Sequence, residues 1–87
     1  TSSRMDKFSP TLLEAGVKGM IGKGARSEEV TKSIRKNKAI YFIAPSGCGA
    51  YLSERVSSCK VIAFEDLGPE AIYEIEIKDF PCIVAVV

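Results

Sequence analysis

Lys23 stands between two glycines, Gly22 and Gly24, at the end of an apolar stretch, with Arg26 just beyond and Ser27 opening an acidic, helix-like run. Glycines let a backbone and a ligand come close, and a helix N-terminus presents free N–H donors. An ammonium, a guanidinium and those donors would together suit a small dianion. The plainer account of a loop lysine is a solvated charge, and the flanking glycines are what favour a ligand. Arg4, within Thr1-Ser-Ser-Arg-Met-Asp6, could hold a carboxylate through its two-pronged guanidinium, with Asp6 orienting it or simply pairing with it at the surface.

Other residue patterns carry less. Pro45-Ser-Gly-Cys-Gly49 follows an apolar run and looks like the first half of a triphosphate-binding loop. Such a loop then needs a lysine for the phosphates and a Ser or Thr for magnesium, and Ala50 and Tyr51 stand there instead. A tight turn or a small anion nest is the better reading. The chain has no histidine, and Glu65-Asp66, Glu74 and Glu76 read as a turn and a solvated strand face. Cys59 and Cys82 lie in apolar runs and read as small core residues, which leaves Cys48, in the glycine turn, as the reachable thiol. No metal ligand set is assigned to this chain.

These residues need elements to position them. Thr1 to Lys7 reads as a loop; Ser9-Pro10 predicts a helix start, with Ser9 as cap and Gly16 as stop. Val17 to Gly22 predicts a buried strand that another backbone approaches closely. Ser27-Glu-Glu-Val30 predicts a second helix, with Val30 and Ile34 on its buried side and its end near Lys36-Asn37. Ala39 to Ala44 predicts a central strand, and Ala50 to Val56 a short third helix. Cys59 to Glu65, part of Ala71 to Ile77, and Cys82 to Val87 are further strand candidates, with a turn at Asp66-Leu-Gly-Pro69. Alternating strands and helices predict an α/β fold whose central sheet is mostly parallel.

Length and composition agree with one domain over residues 1–87. A formal charge of +1 with 26% charged residues lacks the basic excess of a nucleic-acid surface. No apolar run reaches the ~20 residues of a membrane helix. Three cysteines, at spacings of eleven and twenty-three, suggest neither a disulfide framework nor a paired metal motif, which points to a reducing, cytoplasmic setting.

Ser-Arg-Met-Asp6, Lys18-Gly-Met-Ile-Gly-Lys-Gly-Ala-Arg-Ser27, Glu65-Asp-Leu-Gly-Pro-Glu-Ala-Ile72 and Asp79-Phe-Pro81 together resemble the β subunit, or C-terminal domain, of class I fumarases and L-tartrate dehydratases. The resemblance spans nearly the whole chain in order. It implies a swivelling β/β/α three-layer domain in a hydro-lyase that dehydrates a 2-hydroxy dicarboxylate such as malate or tartrate. It implies an α subunit carrying a 4Fe–4S cluster, hence a hetero-oligomer. It places the substrate-binding arginine on Arg4, the lysine on Lys23, and a contributing hydroxyl on Thr1 or just upstream. It also implies a fragment, truncated before Thr1 and past Val87, that has half a site and no activity alone. A non-catalytic anion-binding or structural module of the same fold is the competing expectation.

Overall fold

The structure, a computed structural model, describes residues 2–45, 47 and 49–87. They form two compact units, Thr1–Gly47 with Pro81–Val87, and Cys48–Phe80. Both are mixtures of helix and short strand, so the chain is a small mixed α/β protein with two small sheets.

In the first unit a 3-10 turn over Ser2–Met5 leads to helix α1 (Ser9–Glu14), strand β1 (Gly19–Gly22), helix α2 (Glu28–Lys36) and strand β2 (Ile40–Ile43). The chain returns at its end with β5 (Ile83–Val86), and the sheet order is β1-β2-β5. β1 and β2 run parallel, as a β–α–β crossover through α2 requires, while β5 runs antiparallel to β2. The expected mostly parallel sheet is therefore corrected to a mixed one. β5 reaches β2 from the second unit rather than through a helical crossover, and nothing then demands a parallel approach.

The core lies where α1 and α2 cover β2: Leu13, Val30, Ile34, Ala39 and Tyr41 are all essentially inaccessible. Each large apolar side chain buried there stabilises by about 1.5–3 kcal/mol relative to exposure. Helix α2 forms as its residues dictate. Ser27 Oγ accepts from the Val30 N–H at 3.3 Å, Glu28 and Glu29 sit in the first turn, and Arg35 and Lys36 in the last. The helix ends in a Schellman pattern, with the Ala39 N–H donating to the Ile34 carbonyl and the Lys38 N–H to that of Arg35. Lys38 occupies the left-handed position at φ 54°.

Several local expectations change. The N-terminal loop is a 3-10 turn, and Ser9 is not a cap: it lies inside α1, buried, with Phe8 at the cap position and no side-chain cap bond. Pro10 is still in the first turn, and Gly16 (φ +118°) still follows the helix end. β1 is an edge strand with exposed and half-buried residues alternating, not a buried one, because β2 takes the centre.

The second unit holds α3 (Gly49–Ser53), β3 (Val56–Ala63), a kinked 3-10 stretch over Glu65–Glu70 and β4 (Ile72–Ile77). The third helix is shorter than expected, since Val56 already opens β3. β3 and β4 form an antiparallel ribbon. Its register puts Cys59 opposite Ile75 and Val61 opposite Tyr73 on one face, and Ser58 opposite Glu76 and Lys60 opposite Glu74 on the other. The polar face is linked by a Lys60–Glu74 ion pair at 3.4 Å and a Ser58 hydroxyl donating to Glu76 at 3.0 Å. The reading of Cys59 and Cys82 as core residues is corrected: both are free and exposed, Cys59 because a two-stranded ribbon has no second layer of its own.

Candidate functional site

Each glycine beside Lys23 has its own cause. A side chain at Gly22 would collide with the Ser2 hydroxyl and come within 3.2 Å of Tyr41 Oη. Gly24 has φ +88°, in the left-handed region that favours glycine. The close approach expected for this stretch is made at Gly22 by the side chains of Ser2 and Tyr41 rather than by another backbone, and Gly19 has open space beside it. Lys23 itself is exposed, and its carbonyl accepts from the Ser2 N–H at 2.9 Å.

Arg4 projects from the 3-10 turn that Ser2 opens, and it too is exposed. That turn is pinned at its far side by Asp6. Asp6 Oδ1 accepts from Arg26 Nε at 2.8 Å and Oδ2 from the Ser27 N–H at 3.0 Å. Arg26 also donates through Nη2 to Ser9 Oγ at 2.5 Å, and Ser9 in turn donates to the Met5 carbonyl at 2.9 Å. The guanidinium lies 5.0 Å from the centre of the Tyr41 ring, and the Arg26 side chain is only 3% exposed. Above all it is the hydrogen bond from Arg26 that holds the Asp6 carboxyl below its ordinary pKa, with the Ser27 N–H helping against the cost of burial.

The arrangement revises two expectations. Arg26 and the N-terminus of α2 do not converge with Lys23 on a ligand, because the Asp6 carboxylate already occupies the anion position they make. Asp6 does not orient or pair with Arg4, because a buried guanidinium beside it is the stronger partner. What remains are two cations, Arg4 and Lys23, that make no ion pair among the described residues and whose backbone segments are tied together through Ser2. Thr1 and Cys48 lie outside the described residues.

Sequence reasoning passed over Ser2 and Tyr41, and took Ser9 for a helix cap. For Tyr41 a signal existed: a phenol inside a buried apolar run must find a partner for its hydroxyl. Its Oη lies 2.7 Å from the Gly24 carbonyl and 2.9 Å from Ser2 Oγ. A groove of about 260 Å³ opens nearby, lined by Met5, Leu12, Val17 and Met20 with Ser9 and Arg26 among its polar residues. Its apolar walls and neutralised arginine do not suit a dicarboxylate.

The family model for the fumarase C-terminus matches residues 1–87, and the chain belongs to that family. It is 34% identical over 88 residues to the aerobic class I fumarate hydratase of Escherichia coli (strain K12), a match covering 99% of this chain and 16% of that protein. It is 34% identical over 89 residues to a putative L(+)-tartrate dehydratase subunit beta of Methanocaldococcus jannaschii, covering 98% of this chain and 46% of that one. Against the L(+)-tartrate dehydratase subunit beta of Escherichia coli (strain K12) the identity is 33% over 89 residues, covering 99% and 44%. The chain thus spans less than half the length of each of these relatives.

An iron–sulfur cluster of the kind the resemblance implies needs several cysteine thiolates around it. Among the described residues no three His, Cys, Asp or Glu side chains come together, and Cys59 and Cys82 belong to different units. The described residues do not fit such a cluster. No helix among them is long and apolar enough to cross a membrane.

Proposed function

We propose that this chain is part of the β subunit or C-terminal domain of a cytoplasmic hydro-lyase that reversibly dehydrates a 2-hydroxy dicarboxylate, malate or tartrate, and that Arg4 and Lys23 clamp the substrate. The observation carrying this reading is that the two exposed cations stand on segments joined by the Ser2–Lys23 backbone hydrogen bond, while the neighbouring Arg26 is neutralised by Asp6. A planar guanidinium suits one carboxylate in bidentate fashion, and an ammonium between glycines suits the other as a point charge. Fixed positive charge also stabilises the extra negative charge that a carboxylate gathers when the adjacent C–H proton leaves. Arg4 and Lys23 do this by position, and neither transfers a proton. In this proposal a hydroxyl from Thr1, or from just upstream, also binds the substrate.

In this proposal the 4Fe–4S cluster belongs to an α subunit or domain, the assembly is a hetero-oligomer, and residues 1–87 are part of one swivelling three-layer domain. Support for the partner comes from relatives whose names include a β subunit. The test is to mix the chain with a cluster-loaded α partner under anaerobic conditions. Dehydratase activity is expected only in the mixture, with Lys23→Ala lowering kcat/KM about a hundredfold and Arg4→Ala by a similar factor. Full activity of the chain alone, or indifference to both substitutions, would overturn the reading. Measurable calorimetric affinity of the lone chain for malate, tartrate or phosphate would favour an anion-binding module instead.

A further inference from the structure

We infer that Tyr41 is the positioning residue of the two clamps, its hydroxyl fixing the Arg4 turn against the Lys23 loop. The inference rests on the reading of Arg4 and Lys23 as substrate clamps.

Tyr41 is held more firmly than either segment it touches. It lies in the middle strand of the sheet, opposite Met20 of β1 and Val86 of β5, is 1% exposed, and packs in the core with Leu13, Val30 and Ile34. The Arg26 guanidinium lies over its ring. Its Oη emerges between two pieces of chain far apart in sequence. The phenol has one proton, which it gives to the Gly24 carbonyl at 2.7 Å, and the Ser2 hydroxyl then supplies the second bond at 2.9 Å.

Gly24 directly follows Lys23, and Ser2 opens the turn that carries Arg4. The Ser2 N–H to Lys23 carbonyl bond closes the triangle. Gly22 has no side chain where this hydroxyl passes, so the sequence makes room for it. Phenylalanine would keep the ring, the core packing and the guanidinium contact, and would lose both bonds to the clamp segments.

The test uses the complete enzyme, with this chain assembled on its α partner, and succinate as the probe because it is a C4 dicarboxylate with no hydroxyl to lose. Tyr41→Phe should raise the calorimetric Kd for succinate and the KM for substrate about tenfold, while kcat changes by less than about threefold. Peptide-level amide exchange should quicken at residues 2–6 and 22–26 and stay unchanged in α2. Combined with Lys23→Ala, Tyr41→Phe should cost less than it does in the otherwise wild-type enzyme, since one of the two clamps through which it acts is already gone. Wild-type affinity for succinate in Tyr41→Phe, or losses that multiply in the double variant, would overturn the inference. Should Tyr41→Phe fail to fold, Ser2→Ala decides: a Kd raised about threefold supports the inference and an unchanged one overturns it. A Lys23→Ala enzyme that binds succinate normally would instead defeat the clamp reading itself, whereas an impaired Lys23→Ala beside a normal Tyr41→Phe defeats only the role of Tyr41.

Discussion

Asp6 is the residue on which the N-terminal turn depends, since its two oxygens join Arg26 and the first amide of the α2 cap across twenty positions of sequence. Its carboxyl titrates below the ordinary 3.8 because ionisation keeps the Arg26 bond. A carboxylate with a lowered folded pKa contributes stability that is complete above the unfolded value and is lost as pH falls through the folded one. Asp6→Asn should therefore unfold more easily than wild type at pH 7, by about 3 kcal/mol because Arg26 is left buried without its counter-charge. The two proteins should converge as pH drops below 3.8; urea titrations at several pH values will show this, and parallel curves would contradict it. At this scale the sequence is half legible. Flanking glycines and a short motif single out Lys23 and Arg4, and both are exposed and make no ion pair among the described residues. The fate of Arg26 does not show, because composition cannot say which of several charges will be buried against Tyr41 and so claim the nearest carboxylate.

Helix α2 and strand β2 are the elements whose sequence and structure agree, because cap, first-turn acids, the Val30 and Ile34 spacing and a β-branched run each point the same way. The end of α2 carries one misfit. Lys38 adopts φ 54° where the Schellman turn is best served by glycine, and it does so because the next residue, Ala39, must enter the core. Lys38→Gly should therefore stabilise the chain by about 1 kcal/mol, seen as a higher midpoint in thermal unfolding. A lower midpoint would mean that the lysine contributes more than its strained backbone costs. Other elements misled for reasons that are physical. Ser9-Pro10 has the residues of a helix start, yet Ser9 is drawn inside α1 to link Arg26 with the Met5 carbonyl. The run ending the chain reads as a strand, but its direction depends on where the second unit hands the chain back, which no local pattern encodes.

Across the whole molecule every buried apolar residue described belongs to the first unit, and the second has none. A two-stranded ribbon without a second layer is marginally stable in water. In the isolated chain the amides of β2 should exchange about a hundredfold more slowly than those of β3 and β4, and residue-resolved hydrogen exchange will read the difference. Equal protection would show that the ribbon shares the stability of the first unit. The pairing of Ile43 with Ile83 has a consequence for how the chain is threaded. The second unit leaves and re-enters the sheet at two touching points, so to the first unit it is simply a long loop in a hairpin. Closing a loop of about forty residues costs only about 2 kcal/mol more than closing one of four, because the penalty grows with the logarithm of length. By that measure a change in the length of the second unit alters the cost of closing the β2–β5 pair only slightly.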